Sequence, residues 1–148
     1  MTRRYAEGTS VSVASSRGEI TGILTAHGVE RMGWQSGPEG DELLFELSGH
    51  RFRFPILKPT WADVRSQLVD QGRDPDRVYD PQTKVDAEWR RRWRANVLLL
   101  KAKLEFIDSG DTTLIRELLP YMLAPGGKTV GELVEAGGVP LLTAGGGG

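Results

Sequence analysis

The sequence contains no cysteine and only two histidines, which limits the chemistry open to it. Without cysteine the chain can form no disulfide, no thiol nucleophile and no thiolate zinc site. His27 and His50 stand alone, because no acidic residue is spaced to complete a metal site with either of them. We therefore expect no bound metal and no cofactor.

Catalytic and nucleotide-binding motifs are also missing. The sequence has no G-x-x-x-x-G-K-[ST], no G-x-G-x-x-G, no H-E-x-x-H and no G-x-S-x-G. The fragment G-G-K-T at residues 126–129 is not a phosphate-binding loop, because Met122 stands where the first glycine of that loop is required. These absences favour a protein that is not an enzyme.

The chain has neither an excess of one charge nor a long apolar run. Nineteen Lys and Arg residues oppose 20 Asp and Glu residues, for a net charge of -1. Any contact with nucleic acid must therefore use a local patch of cations, not the field of the whole molecule. No stretch approaches the roughly 18 apolar residues of a membrane span, and no signal-peptide pattern is present. We expect a cytoplasmic protein without a membrane partner.

The longest helical pattern covers residues 86–109 and is closed by Gly110, a residue typical of a helix C-terminus. Apolar residues spaced by three and four positions define one face of this helix. They are Trp89, Trp93, Val97, Leu100, Leu104 and Ile107. A second, smaller apolar face carries Ala95, Leu99, Ala102 and Phe106. Two apolar faces predict that the helix is covered twice, by its own sheet and by another helix or a partner subunit.

Three strand patterns precede this helix, at residues 29–35, 42–48 and 50–57, with a hairpin turn around Gly49. In the third pattern Phe52, Phe54 and Ile56 alternate with polar residues, which predicts one buried and one open face. Pro55 indicates that this strand lies at an edge or ends early. The predicted fold class is α+β, with a small antiparallel three-stranded sheet packed on one long central helix and additional short helices.

The remaining segments suggest a simple organisation. We predict an N-terminal arm at residues 1–13, a single α+β domain at 14–137 and a flexible Gly-rich tail at 138–148. The arm is either an edge strand over V-S-V or a segment that orders on contact. Residues 59–86 form a variable insert within the domain, and residues 73–83 form a surface linker without regular structure.

Two boundary predictions concern the helices on either side of the sheet. Ser16 and Glu19 match a capping box, which predicts that the first helix begins at Ser16. The C-terminal helices are predicted to cover the second apolar face of the central helix.

Two groups of cations are candidate contacts for a phosphate backbone. Arg51 and Arg53 lie on the polar face of the third strand, and Arg90, Arg94 and Lys101 form one line along the central helix. Each phosphate that such a cation neutralises releases a condensed counterion, which favours binding. The alternative for both groups is a solvated surface whose arginines pair with nearby carboxylates. The sequence leaves both interpretations open.

Several segments of the sequence, taken together, resemble a known family of proteins. They are R-Y-A-E-G-T-S-V, S-R-G-E-I, G-H-R-F-R-F, R-W-R-A-N-V-L-L-L-K-A-K-L-E and Y-M-L-A-P-G-G-K-T-V-G-E. Together they resemble a family of small proteins encoded in bacteriophage and prophage genomes, whereas residues 59–86 match that family poorly. The family has no established activity, so no functional residues carry over. The phage setting implies action on DNA during replication or recombination, or binding to a host factor.

Two functional hypotheses follow. The first is a non-enzymatic phage accessory protein that contacts DNA or RNA through Arg51, Arg53, Arg90, Arg94 and Lys101. The alternative is a protein-interaction module, such as a homodimer or an inhibitor of a host factor in the host cytoplasm. The second apolar face of the central helix and the near-zero net charge favour the alternative.

Overall fold

The computed structural model of the chain describes residues 4–145 and confirms the predicted α+β class. Its elements, in chain order, are α1 (Val13–Ala26), β1 (Arg31–Gly37), β2 (Gly40–Leu47), β3 (His50–Leu57), α2 (Trp61–Asp70), α3 (Pro81–Ser109), α4 (Leu114–Leu118) and α5 (Val130–Glu135). Short 3-10 helices cover Pro75–Arg77 and Leu119–Tyr121. The three strands form one antiparallel sheet in the order β1-β2-β3.

Tight turns connect the strands. Ser48 and Gly49 have φ angles of 52° and 79°, as in a type I′ turn, and they join β2 to β3 where the hairpin was predicted. The turn-forming composition of residues 36–41 suggests a loop over the whole segment. The turn is in fact only two residues long, because Gly37 and Gly40 already pair with each other. Glycine is required at position 40, since its φ is 139° and an added Cβ would lie 2.3 Å from the Ile56 carbonyl oxygen.

The core lies between one face of the sheet and the two longer flanking helices. The sheet contributes Leu43, Phe45, Phe52, Phe54 and Ile56, α1 contributes Ile20 and Leu24, and α3 contributes Trp93, Val97, Leu100 and Leu104. The main apolar face predicted for the central helix is thus confirmed, with Trp89 and Ile107 half-buried at its two ends. Glu19 pairs with Arg94 and His27 pairs with Asp108, so α1 and α3 run side by side in the same direction.

Helix α3 is longer than predicted. It begins at Pro81, with the Asp80 side chain accepting a hydrogen bond from the Gln82 N–H, and it ends before Gly110 as expected. Proline fits the first position of a helix, where its missing N–H has no partner to lose. The prediction of a linker without regular structure at 73–83 was therefore wrong. The segment contains a 3-10 helix and the first turn of α3.

Residues 59–86, which we predicted to be a variable insert, contribute to a second, smaller hydrophobic cluster. Val64 and Leu68 of α2 pack against Val85 of α3, with Trp61 and Val78 at the margin. The N-terminal turns of α3 thus belong to this cluster, and its later turns belong to the main core.

The predicted start of α1 was also wrong. Ser12 is the N-cap, and its Oγ accepts a hydrogen bond from the Ser15 N–H at 3.1 Å. Ser16 lies one turn inside the helix and is fully buried, in line with Ile20 and Leu24 at spacings of four. Because Ser12 is the N-cap, α1 begins where the sequence suggested an edge strand, and residues 11–13 form no strand.

The second apolar face of α3 is not covered within residues 4–145, contrary to expectation. Leu99 and Phe106 are 39% and 57% exposed, and Ala102 is also exposed. Helix α4 contacts the C-terminal part of α3 through the Lys103–Glu117 ion pair, but α4 has only five residues. A helix of that length is too short to bury a face that extends over two turns.

The ends of the described chain differ from each other. The guanidinium of Arg4 lies 2.9 Å from the Glu88 carboxylate, so the N-terminal arm is anchored at this residue. At the other end, residues 138–145 form no helix or strand, and Leu142 is 92% exposed. The first three residues of the predicted arm and the last three of the predicted tail lie outside the described residues.

Glu88 is a buried acidic residue that forms ion pairs with three arginines. Its carboxylate is 2% exposed and pairs with Arg4, Arg91 and Arg92, while the Gln67 amide donates a hydrogen bond at 3.0 Å. Burial raises the pKa of this carboxyl, but the hydrogen bonds from Arg91 and Gln67 and the nearby positive charges outweigh burial. The pKa of Glu88 therefore lies below its ordinary value.

We predict that Glu88→Gln destabilises the protein by about 3 kcal/mol at pH 7, because it removes one partner of a buried ion-pair network. A lowered folded-state pKa means that ionised Glu88 stabilises the fold above its unfolded pKa of about 4.3, and that this contribution is lost as pH falls through the folded pKa. The difference in unfolding free energy between wild type and variant should therefore shrink towards zero at low pH. Urea unfolding at a series of pH values measures it.

Glu105→Gln is the matched control for this experiment. Glu105 is exposed on the same helix and forms no ion pair within the described part of the chain. Its substitution should change the unfolding free energy by less than about 0.5 kcal/mol at any pH. A Glu88→Gln effect that stays constant across the pH series would contradict the assigned role.

Candidate functional site

Arg51 and Arg53 lie on the outer face of β3, as predicted, and both are paired within the chain. The Arg51 guanidinium lies 3.1 Å from the carboxylate of Glu46, which is the residue opposite Arg51 on β2. Arg53 pairs with Glu132 of α5 and also donates a hydrogen bond to the Gly127 carbonyl oxygen at 3.2 Å. The sheet thus presents cations whose charges are already compensated by adjacent carboxylates.

The three cations predicted on α3 have different surroundings. Arg94 pairs with Glu19 of α1. Arg90 is half-buried and Lys101 is exposed, and neither forms an ion pair with any described residue. Of the five predicted nucleic-acid contacts, these two alone carry a charge without a carboxylate partner among residues 4–145.

The two groups of cations do not converge on one surface. Phe52, Phe54 and Ile56 of β3 point into the core beneath α1 and α3. Because side chains alternate along a strand, Arg51 and Arg53 point to the opposite face of the sheet. The sheet therefore separates these two arginines from the cations on α3.

A different feature of the sheet is open to a partner, namely its β1 edge. Leu47 and His50 flank the two-residue turn, so they form a hydrogen-bonded pair. Hydrogen-bonded and non-hydrogen-bonded pairs alternate along the two strands. The even-numbered residues of β3 therefore bond to β2, and the odd-numbered residues direct their backbone groups away from it. The Leu123 N–H indeed donates to the Arg51 carbonyl oxygen on that side at 2.8 Å. The hydrogen-bonding phase of the sheet is therefore fixed.

The same phase applies to β1. The residues Arg31, Gly33 and Gln35 bond to β2, so Met32, Trp34 and Ser36 direct their N–H and C=O groups away from the sheet. Within residues 4–145, β1 has β2 as its only strand neighbour. Three consecutive pairs of backbone donors and acceptors are thus free to bond to another strand.

The two edges of the sheet are protected to different extents. The β3 edge carries two arginines and Pro55, and it is partly closed by the bridge between Phe52 and Met122. Proteins commonly block edge strands with such charges, prolines and covering segments. The seven-residue β1 has no proline, and its only charged residue, Arg31, stands at its start. As far as the described residues show, this edge therefore has no proline, covering segment or row of charges that would prevent pairing.

Gly33 lies in the interior of the open strand, and the described part of the fold does not require a glycine there. Its φ lies outside the left-handed region, and a Cβ built on it would meet no atom of residues 4–145 within 4 Å. A glycine in a strand interior destabilises the strand by roughly 0.5–1 kcal/mol relative to alanine. Such a glycine often marks a place where another backbone approaches closely.

A shallow cavity lies beside Gly33 on the outer face of the sheet. It has a volume of about 350 Å³, and its lining includes Leu44, Arg31, Glu46 and Arg51. The absence of a side chain at position 33 leaves the cavity open towards the β1 edge. A partner strand at this edge would thus find an apolar floor with both signs of charge at its rim.

Comparison of the chain with protein-family models, with curated proteins and with solved structures gives no match. The resemblance to phage-encoded proteins therefore stays a prediction. Among residues 4–145, no group of three or more His, Asp and Glu side chains is placed to hold a metal ion. No helix in this range combines the length and the apolar composition needed to cross a membrane.

Sequence reasoning missed the β1 edge. The pattern R-M-G-W-Q-S-G indicates a strand, but a strand pattern does not reveal which of its neighbours is absent. The one available signal was Gly33, an unexplained glycine in a strand pattern. That signal gains its meaning only when the space around the glycine is known.

We predict that Gly33→Ala raises the unfolding free energy of the dilute protein by about 0.5–1 kcal/mol, because alanine restricts the unfolded chain and meets no obstacle in the fold. Gly40→Ala is the matched comparison and should destabilise the protein by more than about 1 kcal/mol, since its Cβ would collide with backbone. Chemical denaturation measures both. Destabilisation by Gly33→Ala would contradict the assignment of free space at this position.

Proposed function

We propose that this protein is an interaction module that binds its partner by strand addition at the β1 edge. In this mode a partner segment extends the sheet, its main-chain groups bond to the free backbone groups, and its side chains determine specificity. The observation that carries the proposal is the set of outward donors and acceptors on Met32, Trp34 and Ser36.

The position of the edge supports this function. Met32 and Trp34 are half-buried and pack on the core, and Trp34 lies 5.3 Å from Trp93 between ring centroids. The guanidinium of Arg17 lies 5.3 Å from the centroid of the Trp34 ring and pairs with Asp41 at 2.8 Å. The open strand is thus held in a fixed geometry before a partner arrives, which lowers the entropic cost of binding.

We predict that Ser36→Pro abolishes partner binding without unfolding the protein. The Ser36 N–H points away from β2, so proline removes a donor from the open edge and none from the β1–β2 ladder. Proteins retained from a bacterial extract by the immobilised wild-type chain can be purified and measured against both forms. Their dissociation constants should rise at least about tenfold for Ser36→Pro, because the free energy of one to two hydrogen bonds is lost.

Ser36→Ala is the control, because it removes the exposed hydroxyl and keeps the backbone N–H. Partners should bind it as they bind the wild type. A partner that binds Ser36→Pro and wild type equally well would place its binding site elsewhere on the protein and contradict strand addition.

Contact with nucleic acid is the second candidate, and it rests on Arg90 and Lys101. Both cations are without a carboxylate partner in the described chain and lie on the same helix as Arg94. Arg51, Arg53 and Arg94 would have to exchange their present carboxylate partners for phosphates. This exchange returns less free energy than the binding of unpaired cations, which is why we rank this function second.

On this ranking, we predict that fluorescence anisotropy detects no difference in oligonucleotide affinity between wild type and the double variant Arg90→Glu, Lys101→Glu at 150 mM salt. If nucleic acid were the partner, the charge reversal would weaken binding, and log K for the wild type would fall with log salt at a slope of about -2 to -3. That result would make the α3 surface the functional site.

A further inference from the structure

We infer that the strand added at the β1 edge is β1 of a second copy of this chain, antiparallel to the first and centred on Gly33. This inference rests on the proposed function and specifies its partner. The resulting dimer would have one continuous six-stranded sheet, with α1 and α3 of both copies on the same face. Its two-fold axis would pass between the two Gly33 residues, perpendicular to the sheet.

The hydrogen-bonding phase restricts the register. Outward backbone groups belong to even-numbered residues, so a hydrogen-bonded pair must join an even residue to an even residue of the partner copy. A centre at Gly33 pairs Met32 with Trp34 of the second copy and Ser36 with Glu30. A centre at Trp34 instead pairs Met32 with Ser36 and Trp34 with Trp34 of the second copy, and its next pair joins Glu30 to Pro38. That pair forms one hydrogen bond because Pro38 has no N–H, whereas Glu30 and Ser36 form two.

The centre at Gly33 places a glycine of each copy at the two-fold axis. The two Gly33 residues would face each other as a non-hydrogen-bonded pair, the closest kind of antiparallel pair, with Cα atoms about 4.5 Å apart. Within residues 4–145, no atom lies within 4 Å of a Cβ built at this position. Glycine leaves the outer face of this pair open, and a small side chain such as cysteine also fits there, because Cβ atoms in a sheet stand out of its plane and not towards the neighbouring strand.

Charges on the outer face are complementary in this register. Arg31 pairs with Glu46 on β2 of its own copy. In the dimer it would lie opposite Gln35 of the second copy, and that Gln35 pairs with Glu42 on its own β2. Arg31 would not face Arg31 of the second copy. The pairing therefore brings no like charges into direct opposition along the new strand junction.

Helix α1 extends the contact on the inner face. Its Arg17 side lies over Trp34 of β1 and its Glu19 side meets α3, so the remaining lateral face points past the β1 edge. Small residues fill that face at helical spacings: Ala14, Gly18, Thr21 and Thr25. A Cβ built on Gly18 would meet no atom of the described chain within 4 Å. Two α1 helices could thus approach closely across the axis, which enlarges the interface towards the roughly 1,200 Å² of a specific complex.

The absence of cysteine makes a direct test possible, because each introduced cysteine is the only thiol in the chain. Gly33→Cys places two thiols on opposite sides of the axis, at a Cα separation within the 4.4–6.8 Å range of disulfides. Gln35→Cys is the matched control on the same strand and the same face. Its two thiols would be separated by four residues of strand, about 13 Å, which no disulfide spans.

We expect Gly33→Cys to form a disulfide-linked dimer on mild oxidation at a rate at least about tenfold above that of Gln35→Cys. Wild type and Ser36→Ala should sediment as concentration-dependent dimers, and Ser36→Pro should sediment as a monomer. Preferential cross-linking of Gln35→Cys, or equal slow rates for both variants, would overturn the register.

The experiment also separates this inference from the function on which it rests. A monomeric wild type at all concentrations, together with a different protein whose binding is lost in Ser36→Pro, would overturn the homodimer and leave strand addition in place. Wild type and Ser36→Pro that behave alike in sedimentation and in partner binding would overturn both proposals.

Discussion

The packing of α3 against one face of the three-stranded sheet is the contact on which the rest of the fold depends. Trp93 is completely buried at its centre, edge-on to Trp89 and 5.3 Å from Trp34 between ring centroids. A small sheet has no independent stability in water unless one of its faces is covered. The apolar face of α3 supplies this cover and thereby decides which side chains of each strand point inwards.

The orientation of the strand side chains also determines which backbone groups are available at the two edges of the sheet. Once the inner face is fixed, the C-terminal segment pairs beside β3, where Leu123 bonds to Arg51 and α5 reaches Arg53 through Glu132. Residues of the chain itself thus partly close this edge. At the other edge, the described chain offers β1 no second neighbour. The asymmetry of the two edges, more than any cluster of charge, distinguishes this surface from that of an ordinary small domain.

The sequence was sufficient to predict what depends on local patterns. The alternation of Phe52, Phe54 and Ile56, the apolar period of α3 and its end at Gly110 gave the fold class and most of the core. The predicted start of α1 was wrong because the capping pattern of Ser16 and Glu19 lies inside the helix, where it looks the same as one at a helix start. The candidate site could not be predicted, since an open edge and the space around Gly33 depend on which distant segments are near.

Hydrogen exchange of individual backbone amides in β1 tests the central claim most directly, because it reports whether each N–H has a partner. In dilute protein we expect the amides of Gly33 and Gln35, which bond to β2, to exchange slowly, and those of Met32, Trp34 and Ser36 to exchange fast. As the concentration rises, the fast amides should become protected while the slow ones stay unchanged. Slow exchange at Met32, Trp34 and Ser36 in the dilute monomer would show that the edge is already closed, and would contradict the account.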